Sequence, residues 1–307
     1  MIYTCHSIHV TLHTPGRLDM ANRNVDTLDW SYPKLSDAAT APQSRWQGHA
    51  SLTWAVRTWF VVAVAGQWMF AYYIAAFYGA SALRGNWARW NEVLPHGYVP
   101  GNTVGNAALT VHLFFACAIS FMGAVQLVPQ IRARFPTLHR WLGRTYLPIA
   151  FTMGISALYL ALSGRKVVGD LPQHIAVIGN AFLILLCAAL AWRYALARDF
   201  QTHRRWALRL FLVVNGVWFF RVELMCWLAI NQHPVGFDPD KFTGPFLTLA
   251  GFAQTLLPLT MLEIYMRVVK QGTALSRFAT AAAIAVLTVA MGTGIGAATM
   301  GMWLPVL

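Results

Sequence analysis

Residues 104–129 read VGNAALTVHLFFACAISFMGAVQLVP, a run of 26 positions holding no Asp, Glu, Lys or Arg. Coiled as an α-helix at about 1.5 Å per residue, such a run outreaches the ~30 Å hydrocarbon core of a bilayer. It lacks the ten-residue alternation of apolar and polar positions that a membrane β-barrel strand requires. Lipid offers no water to backbone N–H and C=O groups, so a segment of this kind crosses as a helix. Outward from it, comparable apolar blocks occupy about 53–80, 144–163, 173–195, 206–230, 244–269 and 278–304. Together they predict an all-α polytopic membrane bundle of seven transmembrane helices, with helices 2–5 as its central four-helix core.

Composition agrees. Of 307 residues, 57% are hydrophobic and 11% charged, against roughly 25% charged in ordinary soluble domains. The formal net charge of +12 would suit a nucleic-acid binder. Here the basic residues sit in short gaps between apolar blocks, where membrane topology accounts for them. The expected partner is therefore the lipid bilayer and not nucleic acid. Cys117, Cys187 and Cys226 fall inside blocks and Cys5 outside, with no C-x-x-C spacing, so they read as buried thiols. Residues 1–50 are polar and aperiodic and are expected to form a disordered cytoplasmic tail, with 51–307 as the membrane domain. His6, His9 and His13 lie in that tail and are not taken as ligands.

Orientation follows from Lys and Arg. Three alternate gaps hold Arg132, Arg134, Arg140 and Arg144, then Arg193, Arg198, Arg204, Arg205 and Arg209, then Arg267, Lys270 and Arg277. The opposite gaps hold Arg84, Arg89, Arg165, Lys166 and Lys241. The positive-inside rule then predicts an N-terminus inside and a C-terminus outside. Tryptophans near block ends (Trp54, Trp59, Trp87, Trp90, Trp141, Trp206, Trp227, Trp303) read as interfacial anchors.

Four histidines fall into two pairs. His112 and His174 lie towards the outer side of blocks two and four, and His139 and His203 stand where blocks three and five begin. The separations are similar: 27 residues from His112 to His139 and 29 from His174 to His203, as a duplicated two-helix hairpin would give. Ionisable side chains at membrane depth are costly and mark a pathway, a cofactor or a buried partner. Neutral imidazole is a good axial ligand for haem iron, and a four-helix bundle can hold a porphyrin between facing histidines. Two pairs on opposite sides predict two b-type haems, the outer one on His112 and His174 and the inner one on His139 and His203. Arg140, Arg144, Arg204 and Arg221 are the candidate partners of haem propionates, because guanidinium groups pair well with carboxylates. Electrons would then pass between a cytoplasmic or membrane quinol donor and an external acceptor, a membrane oxidoreductase activity.

Rival readings stand beside this one. The His–Arg pairs equally suit a solvated or lipid-phosphate-binding cytoplasmic face. The chain is then a cofactor-free membrane protein: a small-solute transporter, a sensor, or a subunit of a larger complex. Arg221 and Glu223 project to different faces of one helix; Glu263 and Arg267 stand at i and i+4, which suggests a pair on the helix surface. Asn106, Gln126, Asn180 and Asn215 are candidates for interhelical hydrogen bonds, and GTGIGAATMG at 292–301 for close packing. No nucleotide-binding glycine loop and no H-E-x-x-H occurs, so neither a nucleotide site nor a zinc hydrolase is indicated.

His112, GAVQLVP at 123–129, FPTLHRWLGRTY at 135–146 and HRRW at 203–206 resemble the DUF2306 family of bacterial membrane proteins, over roughly residues 52–270. That resemblance implies a multi-pass protein of a bacterial inner (plasma) membrane and no particular chemistry. The placement of histidines on helices two to five separately resembles the dihaem cytochromes of the b561 type, which implies haem b and transmembrane electron transfer.

Overall fold

The computed structural model describes residues 48–94, 96–163 and 169–307. The expected disordered tail lies outside the described residues, except that helix begins already at His49. Among the described residues nine segments and a separate 3-10 helix at Trp87–Glu92 are helical; the nine are α1 (His49–Leu83), α2 (Thr103–Leu127), α3 (Pro129–Arg134), α4 (Pro136–Leu162), α5 (Leu171–Leu196), α6 (Phe200–Val214), α7 (Gly216–Asn231), α8 (Pro245–Gln271) and α9 (Ala274–Val306). Six of them are long and apolar enough to cross a membrane. The pair α6 and α7, bent by 51° at Asn215, is apolar and long enough to make a seventh when the two are taken as one span. The protein is a polytopic helical membrane protein.

Local chemistry sets the ends. Asn102, Asp170 and Asp199 accept hydrogen bonds from the backbone N–H three residues on, at 2.9, 3.1 and 3.0 Å, satisfying donors that a helix start leaves open. Pro129, Pro136, Pro172 and Pro245 occupy first turns, where a missing N–H costs nothing. The third and fifth spans start at Pro136 and Phe200, earlier than the apolar blocks suggested. Polar first turns continue the helix beyond the apolar stretch, so His139 and His203 are helical residues.

The spans alternate in direction, which gives the bundle two ends. One, the basic end, carries α3 and the links at 197–199 and 272–273. The other, the loop end, carries 84–94, 96–102, 163, 169–170 and 232–244 among the described residues. Among the described residues three buried clusters fill the interior, a small one of Leu52, Tyr265, Ala281 and Ile284 and two larger ones. One is assembled from Ile119 of α2, Tyr146 and Met153 of α4, Ile184 and Cys187 of α5, and Leu210 and Val213 of α6. This is the expected core of spans two to five. The second is aromatic, with Phe70, Tyr73, Phe77, Tyr78, Trp90, Trp218 and Trp303 packed together. Trp90 and Trp303, at 2% and 0% exposure, are therefore interior residues and not interfacial anchors; Trp54 and Trp141, at 65% and 60%, face outward as anchors do. A π-helical turn at Ile74–Gly79 turns Phe77 and Tyr78 into this cluster. In the small-residue stripe of α9, close packing holds at Gly294, where a methyl group would run into the Val222 carbonyl of α7, and not at Gly296, where it would meet nothing within 4 Å.

Candidate functional site

Each histidine is placed by a different local device. His112, partly buried on α2, has Nδ1 at 2.9 Å from the Ser156 hydroxyl of α4. Ser156 in turn donates to the Met153 carbonyl at 3.0 Å. With the hydroxyl hydrogen directed there, the imidazole is assigned as the Nδ1–H donor and keeps the Nε2 lone pair. The charge that acts on His112 is that of Arg221 on α7. Arg221 stands over the Phe70 ring, 5.4 Å from its centroid, and also acts on Tyr73. The loop-end level thus gathers His112, Ser156, Arg221, Phe70 and Tyr73 from α1, α2, α4 and α7. His174 lies in the first turn of α5, whose cap is Asp170, and its ring takes part in no hydrogen bond with the described residues.

At the basic end, His203 Nδ1 lies 2.8 Å from the Ala191 carbonyl oxygen. A carbonyl can only accept, so Nδ1 carries the hydrogen and Nε2 of the neutral ring is the free lone pair. His139 lies close enough to His203 for the two rings to interact electrostatically, and Arg132 of α3 acts on it as well. The Nδ1 atom of His139 is buried and has no hydrogen-bond partner. Gln126 Nε2 donates to the His139 carbonyl at 2.9 Å and ties the last turn of α2 to the first of α4. Arg204, next to His203, and Arg132 also feel one another's charge. His139 and His203 are thus within electrostatic reach of one another, as are Arg132 and Arg204.

The depths of the two levels can be read from these bonds. Ser156, which marks the depth of His112, follows His139 by 17 residues on α4; Ala191, which marks the depth of His203, follows His174 by 17 residues on α5. Both offsets correspond to about 25 Å of helix. His112 and His174 therefore stand at one level and His139 and His203 at another, with the Tyr146–Met153–Ile184–Leu210 core between them. No hydrogen bond joins His112 to His174, and α4 packs against both of the helices that carry them.

Arg140 and Arg144 are exposed. Arg140 donates to Thr137 at 3.2 Å and Arg144 lies 5.4 Å from the Trp141 ring centroid, both on α4 itself. Of the four predicted arginines, Arg221 acts on His112, and Arg204 interacts with Arg132, which acts on His139. Arg132, Ser156 and Tyr73 were missed. A serine in an otherwise apolar block was the available signal for Ser156; Arg132 was counted only as a loop charge.

Two further polar features lie inside the bundle. Glu263 does not pair with Arg267 but with Arg209 of α6, whose Nε and a terminal nitrogen both approach Oε1 at 2.7 Å. An ion pair between helices satisfies a half-buried arginine better than a bond along one surface. At the break in the fifth span, Asn215 donates to the Phe211 carbonyl at 2.7 Å, and Thr255 of α8 donates to Asn180 of α5 at 2.9 Å. Of the four amides picked from the sequence, Gln126 and Asn180 bond between helices; Asn106 bonds to Val99 at 2.8 and 3.1 Å and Asn215 within its own span.

Residues 109–238 match the model of a family described as a predicted membrane protein, DUF2306. The range runs from α2 through α7, so it holds all four histidines, Arg221 and Glu223, and it is narrower than the 52–270 expected from the motifs. The family description names no activity. None of the curated proteins and none of the solved structures with which the chain was compared matches it.

Proposed function

We propose that the chain is a b-type dihaem protein of a bacterial inner membrane, N-terminus inside, that carries electrons between the two faces of the bilayer. The observation that supports this most is the common 17-residue offset, which sets two histidines at each of two levels about 25 Å apart. The donor set fits. A metal-ligating histidine normally gives its other ring N–H to a carbonyl or another acceptor, which fixes the tautomer. His203 does so towards Ala191 and His112 towards Ser156, while His139 holds a buried, unpartnered Nδ1. In this reading His139 with His203 and His112 with His174 are axial ligands. Arg204, with Arg132, and Arg221 receive propionates, and Arg140 and Arg144 remain the surface charges of the basic end. Bound haem would supply reversible one-electron chemistry; the protein sets ligand orientation, burial and nearby charge.

The deciding experiment is spectroscopic. Protein purified from cells supplied with haem is expected to show a reduced b-type α-band after dithionite. That band should shrink in His203→Ala and again in His112→Ala or His174→Ala. A folded, colourless protein overturns the proposal.

One observation favours the cofactor-free alternative, a small-solute transporter. The fifth span is broken inside the membrane, and broken spans often line substrate paths. Buried Asn180, Asn215, Gln254 and Thr255 lie on the break or on the helices packed against it, and Gln254 Oε1 has no partner. Retention of the fold without any haem, together with solute uptake lost in Asn180→Leu, would establish that reading instead.

A further inference from the structure

Glu223 lies on α7, eight residues before its end at Asn231, or about 12 Å down the helix from the loop end. Neither carboxyl oxygen takes part in a hydrogen bond with the described residues, and Oε2 is wholly buried. The side chain lines a cavity of about 450 Å³ between α7 and α8, whose other walls are Trp227, Pro245, Phe246, Leu249, Ala250 and Ala253. Carbon forms nearly all of that lining. Leu249, 67% exposed, stands at the rim on α8, so the cavity is an open groove. Trp227 and Phe246 stack at 4.6 Å with 15° between their planes and give it one flat aromatic wall. Trp227 is fixed there by donating to the Val235 carbonyl at 2.9 Å.

An apolar groove with one unbonded acid asks for an occupant of mixed character. An acyl chain would fill the space and leave the carboxyl as it is. A small water-soluble donor would satisfy the acid but leave the apolar walls unfilled. The chemistry that meets both demands is a hydrocarbon-tailed molecule with a hydroxyl group on a flat ring. We infer that this groove is the binding site of a membrane quinol, with the Glu223 carboxyl as hydrogen-bond partner of the headgroup. A carboxyl group suits both redox forms, since ionised it accepts from a quinol hydroxyl and protonated it donates to a quinone carbonyl. The inference rests on the electron-transfer reading for its physiological sense. Arg221, two residues earlier, turns to the His112 side of the same helix. The groove is thus set off from the loop-end histidine level by about one helix diameter, ~10 Å.

The test measures binding itself, on full-length protein in detergent, with a benzoquinol carrying a decyl chain as the probe. Quenching of tryptophan fluorescence gives the dissociation constant, and Trp227→Phe is expected to remove the quenched component. Glu223→Leu is expected to weaken binding at least tenfold while leaving the protein folded and more heat-stable, because an unpaired acid is removed. Ala253→Phe, which fills the groove, is expected to abolish binding. Decylbenzene, with the same tail and no hydroxyl, should fail to displace the probe. Equal displacement by decylbenzene, or unchanged affinity in Glu223→Leu, overturns the inference and leaves a site for lipid chains. Quinol binding to a protein that holds no haem would refute the electron-transfer reading and leave this site standing; haem without quinol binding would do the reverse.

Discussion

His203 gives its Nδ1–H to the carbonyl oxygen of Ala191 at 2.8 Å, across the tight turn between α5 and α6. The bond orients the ring, fixes its tautomer and couples two successive spans. Replacing His203 by Phe removes the donor while keeping a flat ring. The expected loss is about 1 kcal/mol of stability, read as a lower unfolding temperature in detergent, whether or not a cofactor is bound.

Ser156 performs the same service for His112 from a neighbouring helix. Ser156→Ala leaves a donor nitrogen without its acceptor, at a cost of about 1–2 kcal/mol. His112→Phe in the same background should return part of that loss, because no donor then needs satisfying. A double-mutant cycle on thermal unfolding measures the coupling, and additive effects would show that the two side chains do not communicate.

Arg209 and Glu263 join α6 to α8, with side-chain exposures of 20% and 39%. Partial exposure keeps such a pair modest. Glu263→Gln should cost about 1 kcal/mol, and less at high salt. Replacing both residues by Leu should come out near neutral, since no charge is left alone.

Gly294 meets the Val222 backbone, whereas a methyl on Gly292 would come no closer than 4.0 Å to Val62. Gly294→Val is expected to destabilise by about 3 kcal/mol through forced separation of α9 from α7. Gly292→Ala should be neutral. Similar losses at both positions would contradict the close approach of α9 and α7.

Asp199, at the start of α6 and outside the spans, is held below the ordinary carboxylate range by hydrogen bonds from the Thr202 side chain and backbone. A lowered value means the folded form prefers the ionised group. Its stabilisation is therefore complete above the ordinary value near 3.8 and disappears as pH falls through the lowered one. Asp199→Asn, which can still cap the helix, should remove this acid-side dependence, as seen in unfolding temperatures between about pH 5 and pH 2.

The spans were legible because a bilayer imposes one demand on every position inside it. Unbroken apolar runs have few alternatives to crossing as helices, and the start of α2 at Thr103 falls one residue from the block read in the sequence. The break at Asn215 was not read, although Asn-Gly inside VVNGVW is a helix-ending dipeptide. The apolar stretches on either side of it, LFLVV before and VWFF after, masked it. The pairing of Glu263 with Arg209 depends on which helices are neighbours, and spacing along one chain reports only i+3 and i+4 partners. Trp90 and Trp303 misled for a related reason. Tryptophan near a block end is favoured at an interface, and only the tertiary arrangement reveals that the 84–102 segment and the last turn of α9 cover these rings. At the site, histidine spacing anticipated two levels; the bonds to Ser156 and Ala191 that define them join separate helices and leave no local pattern.

The bend at Asn215 has a mechanical consequence. A continuous helix transmits a rotation or a shift from one end to the other, but here the hydrogen-bonded ladder is interrupted between α6, which holds His203, and α7, which holds Arg221 and Glu223. A bent joint of this kind does not carry a rotation through as a straight helix does, so the expected consequence is that each end of this helix pair adjusts to its own surroundings.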